Sequence, residues 1–469
     1  MATPKERATL REAILSSIPE EPSQFDQVAP HFVYVPHAHI RALSPDAMLV
    51  EGIRGAGKSF WWHALRDDAL RASLFEQRHE SLSSVSVSTG FGQGSDPSWP
   101  DKDELQALLK LKCPPRLIWK SVVLRQIVPD LVPFSGWSGF AKWVQQEPSK
   151  VANAVRAKND ELRTAGRKHI VLFDALDNTA DTWEDKQVLL RGLLELVLEL
   201  RALYAIRAKV FVRPDMLKDS SVQAFTDASK VIASRVSLSW TPQDLFGLLF
   251  RYLANAEATE SAEYFRRLAA GDWTLASSLV GWQIPSALRS DPSAQEQVFV
   301  AVAGPWMGRS RQRGKTYTWV PNHLADAFDQ VSPRSFLAAI RAAAQVPEVA
   351  GQTHALHWTG LQEGVRRASE YRVIEIREDL PWAHEAMRQL EDIAVPCKIE
   401  TMLHAWSKGG LLKKLSNSDL RVPRDKNFAI FKELQDVGIL RPLSESRVNI
   451  PDVYRVGFGL RRKGGFVPR

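Results

Sequence analysis

Eight residues, Gly52-Ile53-Arg54-Gly55-Ala56-Gly57-Lys58-Ser59, constrain this chain more than any other stretch, because of what flanks them. Ala47-Met48-Leu49-Val50-Glu51 before them reads as a buried strand, and residues 59–70 continue at helical period. The run matches GxxxxGK[ST] in full, in the strand, loop and helix setting that gives the pattern meaning. Its glycines let the backbone curl with N–H groups pointing inward, and the following helix adds its positive N-terminal end. Such a loop is built to hold phosphate, with Gly52, Gly55, Ala56 and Gly57 as the cradle. Lys58 is expected to reach the β- and γ-phosphates of ATP, and Ser59 to ligate Mg²⁺.

A loop of this kind needs a carboxylate at the end of a neighbouring strand to hold the metal and its water. HIVLFDALDN supplies one at Asp174, so Ser59 and Asp174 form the expected metal pair. Asp177, three residues on, has two readings: it orients or deprotonates the attacking water, or it caps the helix that follows.

Strand runs at residues 84–88, 169–173 and 209–212 alternate with helical stretches at 101–167 and 182–206, with a last strand candidate at 237–240. That alternation indicates a parallel α/β core. The expected division is a polar N-terminal arm at 1–30 with one short amphipathic stretch at 10–18, a nucleotide-binding core at 31–240, a helical lid at 241–345, a helical connector at 346–380, and a basic domain at 381–469. In the last segment, residues 428–437 read as a helix capped by Gly438, followed by strand candidates at 439–443 and 448–450. Helices followed by a two-stranded hairpin outline a winged helix.

These motifs resemble the P-loop ATPases of the AAA+ and STAND group, over residues 40 to 345. In STAND proteins the Walker B strand typically ends in D, a small residue, an apolar residue, then DE. Here Asp174-Ala175-Leu176-Asp177 fits, while Asn178 stands where Glu is usual, which implies slow hydrolysis or hydrolysis only in an assembly. The resemblance also places Arg213, in KVFVRPD, at a sensor position near the γ-phosphate, and Arg334, in VSPRSFL, at the start of a lid helix that closes over nucleotide. The alternative for either arginine is ordinary ion pairing. What the group implies is an ATPase switch coupled to a protein partner or to like subunits, in bacteria often within an anti-phage system. Two other readings remain: a DNA-binding ATPase of the initiator or transposition-regulator type, and a scaffold that holds nucleotide structurally.

The charge balance bears on the DNA reading. The chain carries 61 Lys+Arg against 54 Asp+Glu over 469 residues, a formal +7. Residues 405–469 alone carry 14 Lys+Arg and 6 Asp+Glu, so the whole surplus is C-terminal. Arg441, Arg447, Arg461, Arg462 and Lys463 are therefore candidates for phosphate contacts with duplex DNA, against the alternative of a protein-docking face. A second basic stretch at 309–315 is flanked by Trp306 and Trp319, which are candidates for base stacking. The other tryptophans are scattered, as packing residues are.

Apolar residues at 44% and charged residues at 25% fit a folded chain and exclude disorder throughout. Cys113 and Cys397 lie far apart without metal-ligand spacing and are read as reduced. No His pattern of the HExxH kind occurs, and His354 with His357 alone is insufficient for a metal. The start lacks a secretory pattern, and the most apolar long segment, 188–206, carries Arg191, Glu195, Glu199 and Arg201. These features predict a cytoplasmic protein without a membrane partner.

Overall fold

A computed structural model describes residues 2–21, 29–76, 84–94, 96–416 and 426–462. It divides into two compact units: Val35–Ser239, and Met1–Tyr34 together with Trp240–Arg469.

The first unit is built on a five-stranded parallel sheet of β1 (Leu49–Glu51), β2 (Val85–Phe91), β3 (Lys168–Phe173), β4 (Ile206–Val212) and β5 (Val236–Ser237). Their order across the sheet is β2-β3-β4-β1-β5. A parallel sheet covered on both faces needs apolar side chains on both. Ile170, Val171, Leu172 and Phe173 of β3, and Val210, Phe211 and Val212 of β4, are accordingly all buried. The helices Pro115–Ile127 and Trp183–Leu200 add Trp119, Leu189, Leu193 and Leu196 to the same core. The second helix ends at Leu200, short of 206, because β4 begins there; the pattern of apolar residues runs through both elements.

Lys209 lies in the middle of β4 and is fully buried. Its Nζ donates to the carbonyls of Ala42 at 2.7 Å, Ser44 at 2.9 Å and Ala47 at 2.6 Å. Burial pulls the ammonium down to about 7, the nearby Asp46 charge opposing it. A single side chain thus fastens the segment before β1 to the sheet.

The second unit is mostly helical, with a three-stranded sheet and two short two-stranded ones. Within residues 1–30 the amphipathic stretch at 10–18 belongs to a helix that begins earlier. Pro4–Ser17 is a helix with a Thr3/Glu6 capping box, and Leu10, Ala13, Ile14 and Ile18 are buried in the core of this unit. Arg11 donates to the carbonyl of Ala344, and Arg341 donates to those of Leu15 and Ile18. Its apolar stripe is narrow, which is why the stretch reads as mostly polar. Residues 346–380, expected as a helical connector, hold the helix Trp358–Asp379, which packs along Pro333–Gln345 so closely that a Cβ at Gly364 would lie 2.1 Å from the Ala339 carbonyl oxygen.

The C-terminal part has winged-helix form. Cys397–Lys398, Arg447–Asn449 and Arg441–Pro442 make a three-stranded antiparallel sheet, with the helices Ile399–Lys408, Leu411–Ser416 and Asn427–Asp436 between its first and second strands in sequence. The first strand is two residues long and escapes any periodicity. The wing is joined to the lid: Ala327 N–H donates to Gly438 O at 2.9 Å, and Arg441 pairs with Asp329 at 2.6 Å. Among the described residues no helix is long and apolar enough to cross a membrane.

Candidate functional site

Parallel strands in register bring their carboxyl ends to one edge, and in open α/β sheets that edge is where ligands bind. Gly52, Asp174 and Arg213 each directly follow the last residue of β1, β3 and β4. Gly52 N–H donates to Val212 O at 3.2 Å, and Asp174 N–H to Phe91 O at 3.0 Å. Because β4 lies between β1 and β3, whatever follows it sits between the loop and Asp174.

The loop itself turns through Gly55 at φ 74° and Gly57 at φ 101°, a region that disfavours side chains. A Cβ at Gly52 would meet Ala56 and Leu238 at 3.2 Å. Lys58 then opens the helix Lys58–Arg66, whose Trp61 and Trp62 are buried. Trp61 Nε1 donates to His39 Nδ1 at 3.0 Å, which needs a neutral ring there; burial supplies it by pulling His39 down to about 3. The two tryptophans are packing residues that seat the helix.

Lys58 Nζ folds back on the loop, donating to Gly52 O at 2.9 Å and Ile53 O at 3.1 Å. Burial draws it down to about 8, with the Asp174 charge resisting. Asp174 is buried; burial pushes its carboxyl up to about 6, opposed by the Lys58 charge and by the nearby Ser59 hydroxyl. Ser59 and Asp174 are thus neighbours, as a pair sharing one cation requires.

Asp177 sits in the single turn Leu176–Asn178, and its Oδ2 lies 3.5 Å from Arg213 Nη1. It does not cap the following helix: Thr182 does, accepting from Asp185 N–H at 3.1 Å. Arg213 also binds Asp215, Nε to Oδ1 at 3.1 Å and Nη2 to Oδ2 at 2.8 Å. Burial works against the ionised Asp215, but the Arg213 charge and hydrogen bond outweigh it and hold the carboxyl below its ordinary range. Asp215 escaped the sequence reading. The only trace it leaves is the Arg-Pro-Asp order that starts the short helix Pro214–Lys218. Lys186, in the first turns of Trp183–Leu200, is a second such residue: burial lowers it, and it feels both Asp177 and Arg213.

Arg334 belongs to the helical unit, at the start of Pro333–Gln345, where its Nη1 is 3.5 Å from Glu375. The ion-pairing alternative therefore describes its surroundings within that unit.

A Mg²⁺–nucleotide fits this donor set. Among the described residues no three His, Cys, Asp or Glu side chains form a metal cage, so a cation here would share Ser59, Asp174 and phosphate oxygens, as Mg²⁺ does. Lys58 and the loop N–H groups would hold the phosphates.

The basic residues proposed for DNA are mostly committed elsewhere. Arg441 is bound to Asp329; Arg461 pairs with Asp392 at 2.7 Å, and Arg462 with Asp452 at 3.0 Å. Arg455 is fully buried against Asp452. Arg447, exposed on the wing, makes no ion pair with a described residue, and Lys463 lies outside the described residues. Sequence charge counts miss this because Asp329 and Asp392 are distant in the chain.

Fold and site together define a parallel-sheet P-loop NTPase core, followed by a helical lid and a winged-helix-like domain. No protein-family profile matches the sequence, and no curated protein matches it. Among solved structures the chain is similar to Cdc6p from Pyrobaculum aerophilum, at 11% identity and a TM-score of 0.31, over 91% of this chain and 95% of that one. It is also similar to the Aeropyrum pernix ORC2 protein, solved as ADPNP–ADP complexes, at 12% identity and a TM-score of 0.30, over 92% and 99%.

Proposed function

We propose that the chain is an ATP-binding, slowly hydrolysing regulatory switch of the AAA+ and STAND kind, which passes its nucleotide state to a protein partner or to like subunits. The observation that carries this reading is the convergence of Lys58, Ser59, Asp174 and the Asp177–Arg213 pair at the carboxyl edge of one sheet. Lys58 answers phosphate charge, and Ser59 with Asp174 holds the cation, which supplies further charge neutralisation when bound. Asp177, engaged by Arg213 rather than capping a helix, is the group to orient water. Asn178 beside it, in place of a second carboxylate, fits slow turnover. An anti-phage setting follows from the family resemblance within this proposal.

A switch requires that ATP and ADP select different states of the protein. Native mass and hydrogen exchange, each measured with Mg²⁺ and ATP, ADP or neither, test this. The expected result is an ATP-specific change in mass, or in exchange well outside residues 52–59. Nucleotide binding without any such change would leave the chain a scaffold with a structural nucleotide.

A DNA-binding ATPase is the second reading, favoured by the three-stranded winged-helix form of residues 397–449.

A further inference from the structure

With Arg441, Arg461 and Arg462 each paired with a carboxylate, a cluster of exposed arginines without an ion pair to a described residue lies elsewhere, in the hairpin 305–316. Its base is firmly built. Met307 N–H donates to Gly314 O at 2.9 Å, Thr316 N–H to Pro305 O at 3.2 Å, and Trp306 bridges Lys315 across the two arms. Met307, Thr316 and Tyr317 are buried beneath it, and Thr316 Oγ1 donates to Gly304 O. The tip is a single turn, Arg311–Arg313, closed by Gly314 at φ 89°.

Arg309, Arg311 and Arg313 are all exposed on this tip, and none makes an ion pair with a described residue. Only Lys315, at the base, is answered, by Glu296 at 2.8 Å. Gly308 lies under the stem of Arg313, where a Cβ would come within 2.9 Å of its Cγ. Three like charges within five residues repel one another at a separation well inside the Debye length, which costs stability unless a partner supplies the counter-charge.

We propose that this hairpin is a contact surface for the phosphate backbone of duplex nucleic acid, with Arg309, Arg311 and Arg313 as its phosphate-facing cations. The chemistry of the tip selects that partner. Protein interfaces are anchored by buried aromatic or aliphatic side chains, and membrane-binding segments insert apolar ones. No large apolar side chain of 305–316 is exposed: Met307 is buried and Trp306 is half-buried. What remains is guanidinium, with Ser310 and Gln312 as neutral hydrogen-bonding neighbours, a set that suits a repeated phosphodiester read without base preference. Trp306 and Trp319 are set at the base, with Trp319 stacked on His323 at 3.9 Å between ring centroids.

The test uses the full-length protein, without nucleotide, and a random-sequence duplex of about three helical turns. Fluorescence anisotropy gives affinity from about 50 to 200 mM salt. Replacing all three arginines by Gln should lower the log–log salt slope by about 2.7, equivalent to about 40-fold in affinity across that range. The triple Arg→Lys variant should keep the slope and melt with the parent, and the Gln variant, relieved of like-charge repulsion, should melt no lower than the parent. An unchanged slope in the Gln variant, or no duplex binding by the parent at about 50 mM salt, would overturn the proposal. So would equally tight binding of the parent to phosphatidylserine vesicles or to poly-glutamate. None of these outcomes depends on whether ATP is bound or hydrolysed.

Discussion

Arg213 is gripped by Asp215 in a two-point fork, Nε to Oδ1 at 3.1 Å and Nη2 to Oδ2 at 2.8 Å, while its Nη1 faces Asp177 at 3.5 Å. One carboxylate therefore fixes the plane of the guanidinium, and the remaining edge is turned to the group placed to orient water. Asp215→Ala should slow ATP turnover to the level of Arg213→Ala, with little further loss in the double variant. Steady-state kinetics on the four proteins checks this. The same substitution leaves a mostly buried guanidinium short of a partner, so unfolding stability should fall by about 3 kcal/mol.

This pair shows where sequence reading stops. Lys58, Ser59 and Asp174 were legible because a glycine pattern and an apolar strand ending in Asp carry local signatures. Asp177 was legible as a position but not as a partner, since the choice between capping and pairing depends on β4 inserting between β1 and β3. Asp215 left only its Arg-Pro-Asp order, and Lys186 no signature. The N-terminal helix was legible only as the short amphipathic stretch at 10–18, since Leu10, Ala13 and Ile14 make a narrow stripe, and the ion pairs of Arg441 and Arg461 had no local signature because Asp329 and Asp392 are distant in the chain.

Asp174 and Lys58 set a pH window for nucleotide binding. With Asp174 raised to about 6 and Lys58 lowered to about 8, both are charged only between those values. Binding of fluorescent ATP with Mg²⁺ should plateau there, fall on the acid side as Asp174 protonates, and fall on the alkaline side as Lys58 is neutralised. Bound cation and phosphate will widen the window, since each favours the charged form of its partner.

Stability should run the other way. The folded protein takes up a proton at Asp174 between its ordinary 3.8 and about 6, so this group's contribution declines as pH rises through that range. Asp174→Asn should remove that slope and raise the melting temperature of the nucleotide-free protein near pH 7, while weakening Mg²⁺-dependent binding. Melting curves across pH report the first effect, and titrations with and without Mg²⁺ the second.

Asp452 is the hub of the C-terminal segment: its carboxylate meets Arg455 Nε at 2.5 Å, Arg462 Nη1 at 3.0 Å and His323 Nε2 at 3.4 Å. Arg455 is fully buried, so Asp452→Ala strands its charge and should cost about 3–5 kcal/mol in chemical denaturation. Arg462→Glu should destabilise as well, by placing a carboxylate against Asp452. Loss of duplex binding in that variant would then accompany partial unfolding, in contrast to the exposed hairpin arginines.

Nucleotide binding stands most directly on Lys58 and its loop. Calorimetric titration of ATP with Mg²⁺ into the parent and into Lys58→Ala, both shown folded by melting, measures it. Removing a charged donor to phosphate is worth about 1.5–3 kcal/mol, so affinity should fall by about 10- to 150-fold while the fold persists. Equal affinity in the two folded proteins, or no heat of binding in the parent, would contradict the assignment of this loop as the nucleotide site.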